Sequence, residues 1–207
     1  MPDKTIETLC CDILEQEVRL ARTVALSSRR TRPFSVWEVM IPIVFILGYM
    51  RSRQQRELFV QNFIFTKKLA LQAAKDRCSG ELSEQQAFER ITEKTRELLD
   101  SLDPSLYSKI IRKAQLAEMR LLMRHYMSLL ESRCTTAMKC LRAAYPCRND
   151  YLAFLHELRK AEAAVAAAAV QTVGEKADRD MVARIDDHTH RLRLKEADRI
   201  YSPTNAP

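Results

Sequence analysis

A chain of 207 residues holds one domain, or one domain with an extended arm, and excludes several large domains. With 46% hydrophobic and 29% charged residues it is not a disordered polymer, and its three glycines exclude a fold built on tight β-turns. A net charge of +7, with a pI near 9.2, points to an acidic partner: an anionic membrane surface, an acidic protein surface or, less readily, nucleic acid.

The first predicted element is an amphipathic helix from Thr5 to about Ala25, because Ile6, Leu9, Cys10, Ile13, Leu20 and Val24 recur on one helical face. Asp3, Glu7, Asp12, Glu15 and Glu17 fit neither a secretory signal nor an acid-poor transit peptide, so a cytoplasmic location is expected. Ser27 to Pro33 (SSRRTRP) breaks the helix as a short basic linker, since serine competes for backbone hydrogen bonds and the residue before proline avoids the α region.

Ser35 and Glu38 form a capping box and Phe34 and Val39 a hydrophobic staple, predicting a second helix from Val36. Pro42 removes the hydrogen bond to the Glu38 carbonyl and predicts a kink, followed by a long helix from Ile43 to about Arg77 that Gly80 stops. From Val36 to Met50 the only charge is Glu38, over a length of roughly 22 Å, whereas a bilayer core needs about 30 Å. The segment is therefore too short for an ordinary span. Its apolar residues Phe34, Trp37, Val39, Ile41, Ile43, Val44, Phe45, Ile46, Leu47 and Tyr49 are the candidate membrane contacts. Arg29, Arg30 and Arg32 on one flank and Arg51, Arg53 and Arg56 on the other are placed for headgroup phosphates or another acidic surface. Basic residues on both flanks suit an in-plane or re-entrant anchor better than a simple span. A buried core helix and a protein interface are the competing readings of the same run.

Further on, Phe59, Val60, Phe63, Ile64, Phe65, Leu69 and Leu71 spread over most of the helix circumference, interrupted by Gln61, Asn62, Thr66, Lys67 and Lys68. That helix needs cover, which the third, fourth and alanine-rich fifth helices that follow are expected to supply. Leu82, Ser83 and Gln86 begin a third helix running to about Leu99, Asp103 and Pro104 start a fourth that reaches Ala144, and Pro146 ends it. Asn149 caps a fifth through the alanine-rich stretch Ala161 to Val170, and Gly174 separates it from a sixth ending near Arg199.

Motifs for chemistry are sparse. Lys109, Lys113, Arg120 and Arg124 are spaced four, seven and four apart, a basic stripe within about 60° on the fourth helix that suits phosphates or a solvated face equally. Asp186, Asp187 and His190 are the best metal candidates, since two ligands from one helical turn are geometrically plausible, yet a bundle metal centre also draws carboxylates from other helices. His125 and His156 with Glu118 or Glu157 converge only in particular folds. The six cysteines include no CxxC pair, which predicts reduced, mostly buried thiols, and Cys147 beside Arg148 is the one worth testing as a nucleophile. No phosphate-cradling glycine loop or nucleophile elbow is present, and no cofactor is expected.

These observations predict an all-α fold: a bundle of about five to six helices with a short, proline-kinked apolar segment projecting from it. The expected organisation is an N-terminal helix and basic linker (1–33), an apolar segment (34–57), a bundle (58–200) and a loose tail (201–207). The leading functional expectation is a non-enzymatic helical scaffold at the cytoplasmic face of a membrane, holding a protein partner. The alternatives are a soluble metal-dependent helical enzyme using Asp186, Asp187 and His190, and a basic nucleic-acid-binding bundle.

Overall fold

The computed structural model describes residues 4–27, 52–101, 107–174 and 179–202. Among them are seven helices and no strand: α1 Lys4–Ser27, α2 Ser52–Cys78, α3 Glu84–Ser101, α4 Lys109–Glu131, α5 Ala137–Ala144, α6 Arg148–Val173 and α7 Arg179–Ile200. The all-α expectation therefore stands. The predicted Pro42 kink and the first part of the second helix lie outside the described residues, and no described helix is long and apolar enough to cross a membrane.

Local chemistry explains the boundaries. Gly80 adopts φ +79°, a left-handed conformation that lets Glu81 and Leu82 donate back to the Asp76 carbonyl and closes the end of α2. Ser83 then donates its amide to Gln86 Oε1 at 3.0 Å while its own hydroxyl accepts from the Gln86 amide at 3.2 Å, so the expected capping box opens α3.

The fourth predicted helix is two helices. Ser132 and Thr136 side chains bond local backbone groups, Arg133 takes φ +49°, and the chain turns before α5. Asp12 of α1 reaches across to accept from the Ala137 amide at 2.8 Å, capping α5 from a distant part of the chain. The start of α6 also differs in detail from the expectation: Cys147, rather than Asn149, is the N-cap, with Asp150 completing a capping box.

α4 is the central helix. Met119, Leu122, Met123, Tyr126 and Leu130 are almost fully buried, and α2, α6, α3 and α5 pack around them. α1 contributes Ile6, Leu9 and Ile13 to the same core. The expected cover of α2 needs correcting, because α2 packs on α4, α1 and α3, and α1 takes the place assigned to the alanine-rich helix. One face of α2 is consequently left looking across a gap at α6 and α7.

Candidate functional site

The gap is a pocket of about 660 Å³ bounded by α2, α4, α6 and α7. Its existence follows from side-chain size. On α6, Ala168 and Ala169 pack inwards against Tyr107 and Ile111, while Ala163, Ala166 and Ala167 face the gap and leave it unfilled. Opposite them, Phe59 and Phe63 are one helical turn apart on α2, with ring centroids 5.9 Å apart, and form the other apolar wall. Val182 and Ile185 of α7 close the side.

The floor is charged. Lys67, buried at 2% exposure, places Nζ 3.2 Å from Glu162 and 3.8 Å from Glu118, and lies 4.4 Å from the centre of the Phe63 ring. Arg193 of α7 donates to both oxygens of Glu162, at 2.5 and 2.8 Å, in a bidentate pair. Thr66 donates its hydroxyl to Glu118 at 3.1 Å. Asn62, one turn before Thr66 and only 5% exposed, lines the same pocket, and its Nδ2 has no hydrogen-bond partner. A buried amide donor without a partner is costly, and this one belongs to a residue that lines the pocket.

The two carboxylates are driven in opposite directions. Burial pushes Glu118 up to about 7, reinforced by the Glu162 charge and only partly offset by Lys67. Burial also acts to raise Glu162, but Arg193 and Lys67 outweigh it and hold this carboxyl down to about 2. At neutral pH the floor thus holds two cations, one firmly ionised carboxylate and one carboxyl poised between its two forms.

The residues singled out in the sequence lie elsewhere or are differently engaged. Phe34, Trp37, Val39, Ile41, Ile43, Val44, Phe45, Ile46, Leu47 and Tyr49, together with Arg29, Arg30, Arg32 and Arg51, lie outside the described residues. Arg53 and Arg56 fall in the first turns of α2. Lys109, Lys113, Arg120 and Arg124 are all exposed on α4, as a stripe requires, but Arg124 pairs with Glu84 at 3.3 Å and Arg120 stacks on Phe88 at 4.1 Å, so half of the stripe is engaged by α3. Asp186 and Asp187 both bind Arg159, at 2.7 and 2.8 Å. Among the described residues no three His, Cys, Asp or Glu side chains converge as a metal site needs. His125 is a core residue, bonded through Nδ1 to the Tyr145 hydroxyl at 2.8 Å and stacked on Phe154 with centroids 4.1 Å apart. Cys147 is exposed and its thiol donates to Asp150 at 3.0 Å.

Sequence reasoning noted Asn62, Thr66 and Lys67 only as interruptions of an apolar run and did not connect Glu162 with them. The available signal was pairing. A lysine inside an apolar helix needs a buried carboxylate, and Glu162 opening an alanine run is such a partner. Comparisons with protein-family models, curated proteins and solved structures give no match, so the pocket is interpreted on its own chemistry.

Proposed function

We propose that this is a non-enzymatic, membrane-associated helical binding protein whose working element is the pocket between α2, α6 and α7, occupied by a small molecule with an apolar body. The observation that carries this reading is the pocket itself: an alanine wall facing a phenylalanine wall, over a floor of buried charge. A volume of about 660 Å³ falls within the 300–1,000 Å³ usual for small-molecule sites, and mostly apolar walls with a few convergent polar groups are their usual lining. The membrane part of the proposal rests on the apolar segment 34–50 and its arginines. Phe59 lies seven residues into α2 from Ser52, roughly 10 Å along the helix, so a lipid contact by the preceding segment would bring the pocket near the bilayer surface.

Two measurements test the proposal. An environment-sensitive apolar dye titrated into the protein is expected to brighten with saturable binding, and Ala166→Phe, which fills the pocket, is expected to weaken it at least tenfold while thermal stability stays within a few degrees. Equal dye binding in that variant would place the site elsewhere. On cell fractionation the protein is expected in the membrane pellet, partly released by high salt and fully by detergent. Recovery wholly in the soluble fraction, with no binding to anionic vesicles, would remove the membrane part and leave the pocket part standing.

A further inference from the structure

We propose that the pocket's occupant is a single-chain carboxylic acid amphiphile, its carboxylate received at the floor by Asn62 and Lys67 and its chain lying between the phenylalanine and alanine walls. The inference rests on the pocket reading above and adds the chemical class of ligand.

The donors and acceptors of the floor are unequal. Asn62 offers a buried N–H group with no partner, and Lys67 has one short bond, to Glu162, from an ammonium able to donate three. The Thr66 hydroxyl proton is already committed to Glu118. Glu162 has both oxygens taken, by Arg193 and Lys67. What the floor lacks is an acceptor, and a carboxylate with two oxygens supplies it. A cationic head would instead meet Lys67, already in cation contact with the Phe63 ring, and would be repelled. The walls add shape. Phe59 and Phe63 on one side and Ala166 and Val170 on the other leave apolar walls above the floor, and Arg179 and Asp186 are the other charged residues of the lining.

Glu118 then becomes the group that adjusts. The charges and titratable groups facing it are Lys67 from α2, Glu162 from α6, Arg193 from α7 and Tyr126 from its own helix, with the Thr66 hydroxyl as its hydrogen-bond donor. Burial already holds this carboxyl up to about 7, so a second anion beside it makes the neutral form the favoured one, and binding takes up a fraction of a proton from solvent near neutral pH. The ligand, by contrast, stays ionised throughout that range. Affinity for a carboxylate is therefore set to rise as pH falls from 8 to 6.

The experiment uses the full-length chain and three probes of equal chain length at monomeric concentrations: decanoate, decanol and decyltrimethylammonium, each titrated at pH 6 and pH 8. Decanoate is expected to bind most tightly and about tenfold more tightly at pH 6 than at pH 8, with decanol showing no such dependence. Glu118→Gln should abolish the pH dependence, and Asn62→Leu, which removes a donor that has no partner in the free protein, should weaken decanoate about tenfold without weakening decanol. Decyltrimethylammonium binding as well as decanoate, or decanoate binding unaltered by Asn62→Leu, would overturn the carboxylate assignment. If decanol and the ammonium bind and Ala166→Phe blocks them, the pocket reading survives that loss. If no probe binds, both readings fall together.

Discussion

Replacing Glu162 with alanine is expected to lower the free energy of unfolding by about 3 kcal/mol, the largest single-residue effect among the charged groups. Among the described residues Glu162 is the only carboxylate bonded to both buried cations, with Lys67 at 3.2 Å and Arg193 at 2.5 Å. The Lys67 and Arg193 side chains keep only 3% and 6% of their surface exposed, so neither can recover hydration when its counterion is removed. The Glu162 side chain retains 20% exposure toward the pocket, which is why the lower end of the range for breaking a buried pair applies. Chemical denaturation followed by circular dichroism measures the difference. The joint replacement Lys67→Met, Glu162→Leu, Arg193→Met is expected to restore most of the loss, because an apolar cluster of similar volume needs no compensation for desolvated charge. A triple variant as unstable as Glu162→Ala would mean that the lost stability comes from packing and not from orphaned charge.

The pH dependence of stability should have a plateau followed by a steep fall. Burial, with the nearby Arg193 charge, holds the His125 imidazole down to about 3, against 6.5 for the free side chain. Between these values the unfolded chain binds a proton that the folded chain refuses, so stability decreases as pH falls from 6.5 to 3. Glu162, held down to about 2 from 4.5, acts in the same sense between pH 4.5 and 2. Glu118 acts oppositely. Raised from 4.5 to about 7, it binds a proton in the folded state first, so it adds stability as pH falls from 7 to 4.5, and Glu196, also raised by burial, adds to it. His190, lowered by desolvation and the Arg159 charge, joins His125. Above pH 4.5 these contributions oppose one another, and below it the fully buried His125 and Glu162 carry most of the fall, each costing about 1.4 kcal/mol per pH unit, with exposed Glu157, lowered by Lys160, acting weakly in the same sense. Urea unfolding from pH 7 to 3 is therefore expected to be nearly level to about 4.5 and then to drop by about 3 kcal/mol per unit. Glu118→Gln should expose a downward slope already at pH 6, and His125→Phe should roughly halve the slope below 4.5. A monotonic decline from pH 7 in the unsubstituted protein would contradict the opposing role of Glu118.

Helix placement was legible where local chemistry decides it. The Ser83 and Gln86 box, Gly80 and Gly174 mark real ends, because a cap is a bond between residues a few positions apart. The break at Ser132 to Thr136 was not, since Leu129, Leu130 and Ala137 continue an apolar pattern through it and the amide of Ala137 is capped by Asp12, far away in sequence. The pocket was illegible for a related reason. Nothing local says that α1 packs on α2 and leaves Asn62 and Thr66 facing α6 across a gap. Lys67, Glu118, Glu162 and Arg193 come from four helices, and a pattern reader treats each as one charge on one surface. Asp186, Asp187 and His190 attracted attention by adjacency in sequence, whereas the fold gives the two aspartates to Arg159.

The link between Asp12 and Ala137 also bears on the order in which the chain assembles. α5 has eight residues, too few to persist as an isolated helix in water, and its Thr136 cap is a weak 3.4 Å bond. Its first free amide waits for a carboxylate 125 positions upstream. The start of α5, near the middle of the chain, is thus tied to the docking of the first helix. Loss of α1 from the bundle would strip α5 of its Ala137 cap, so the two are energetically coupled despite their separation in sequence.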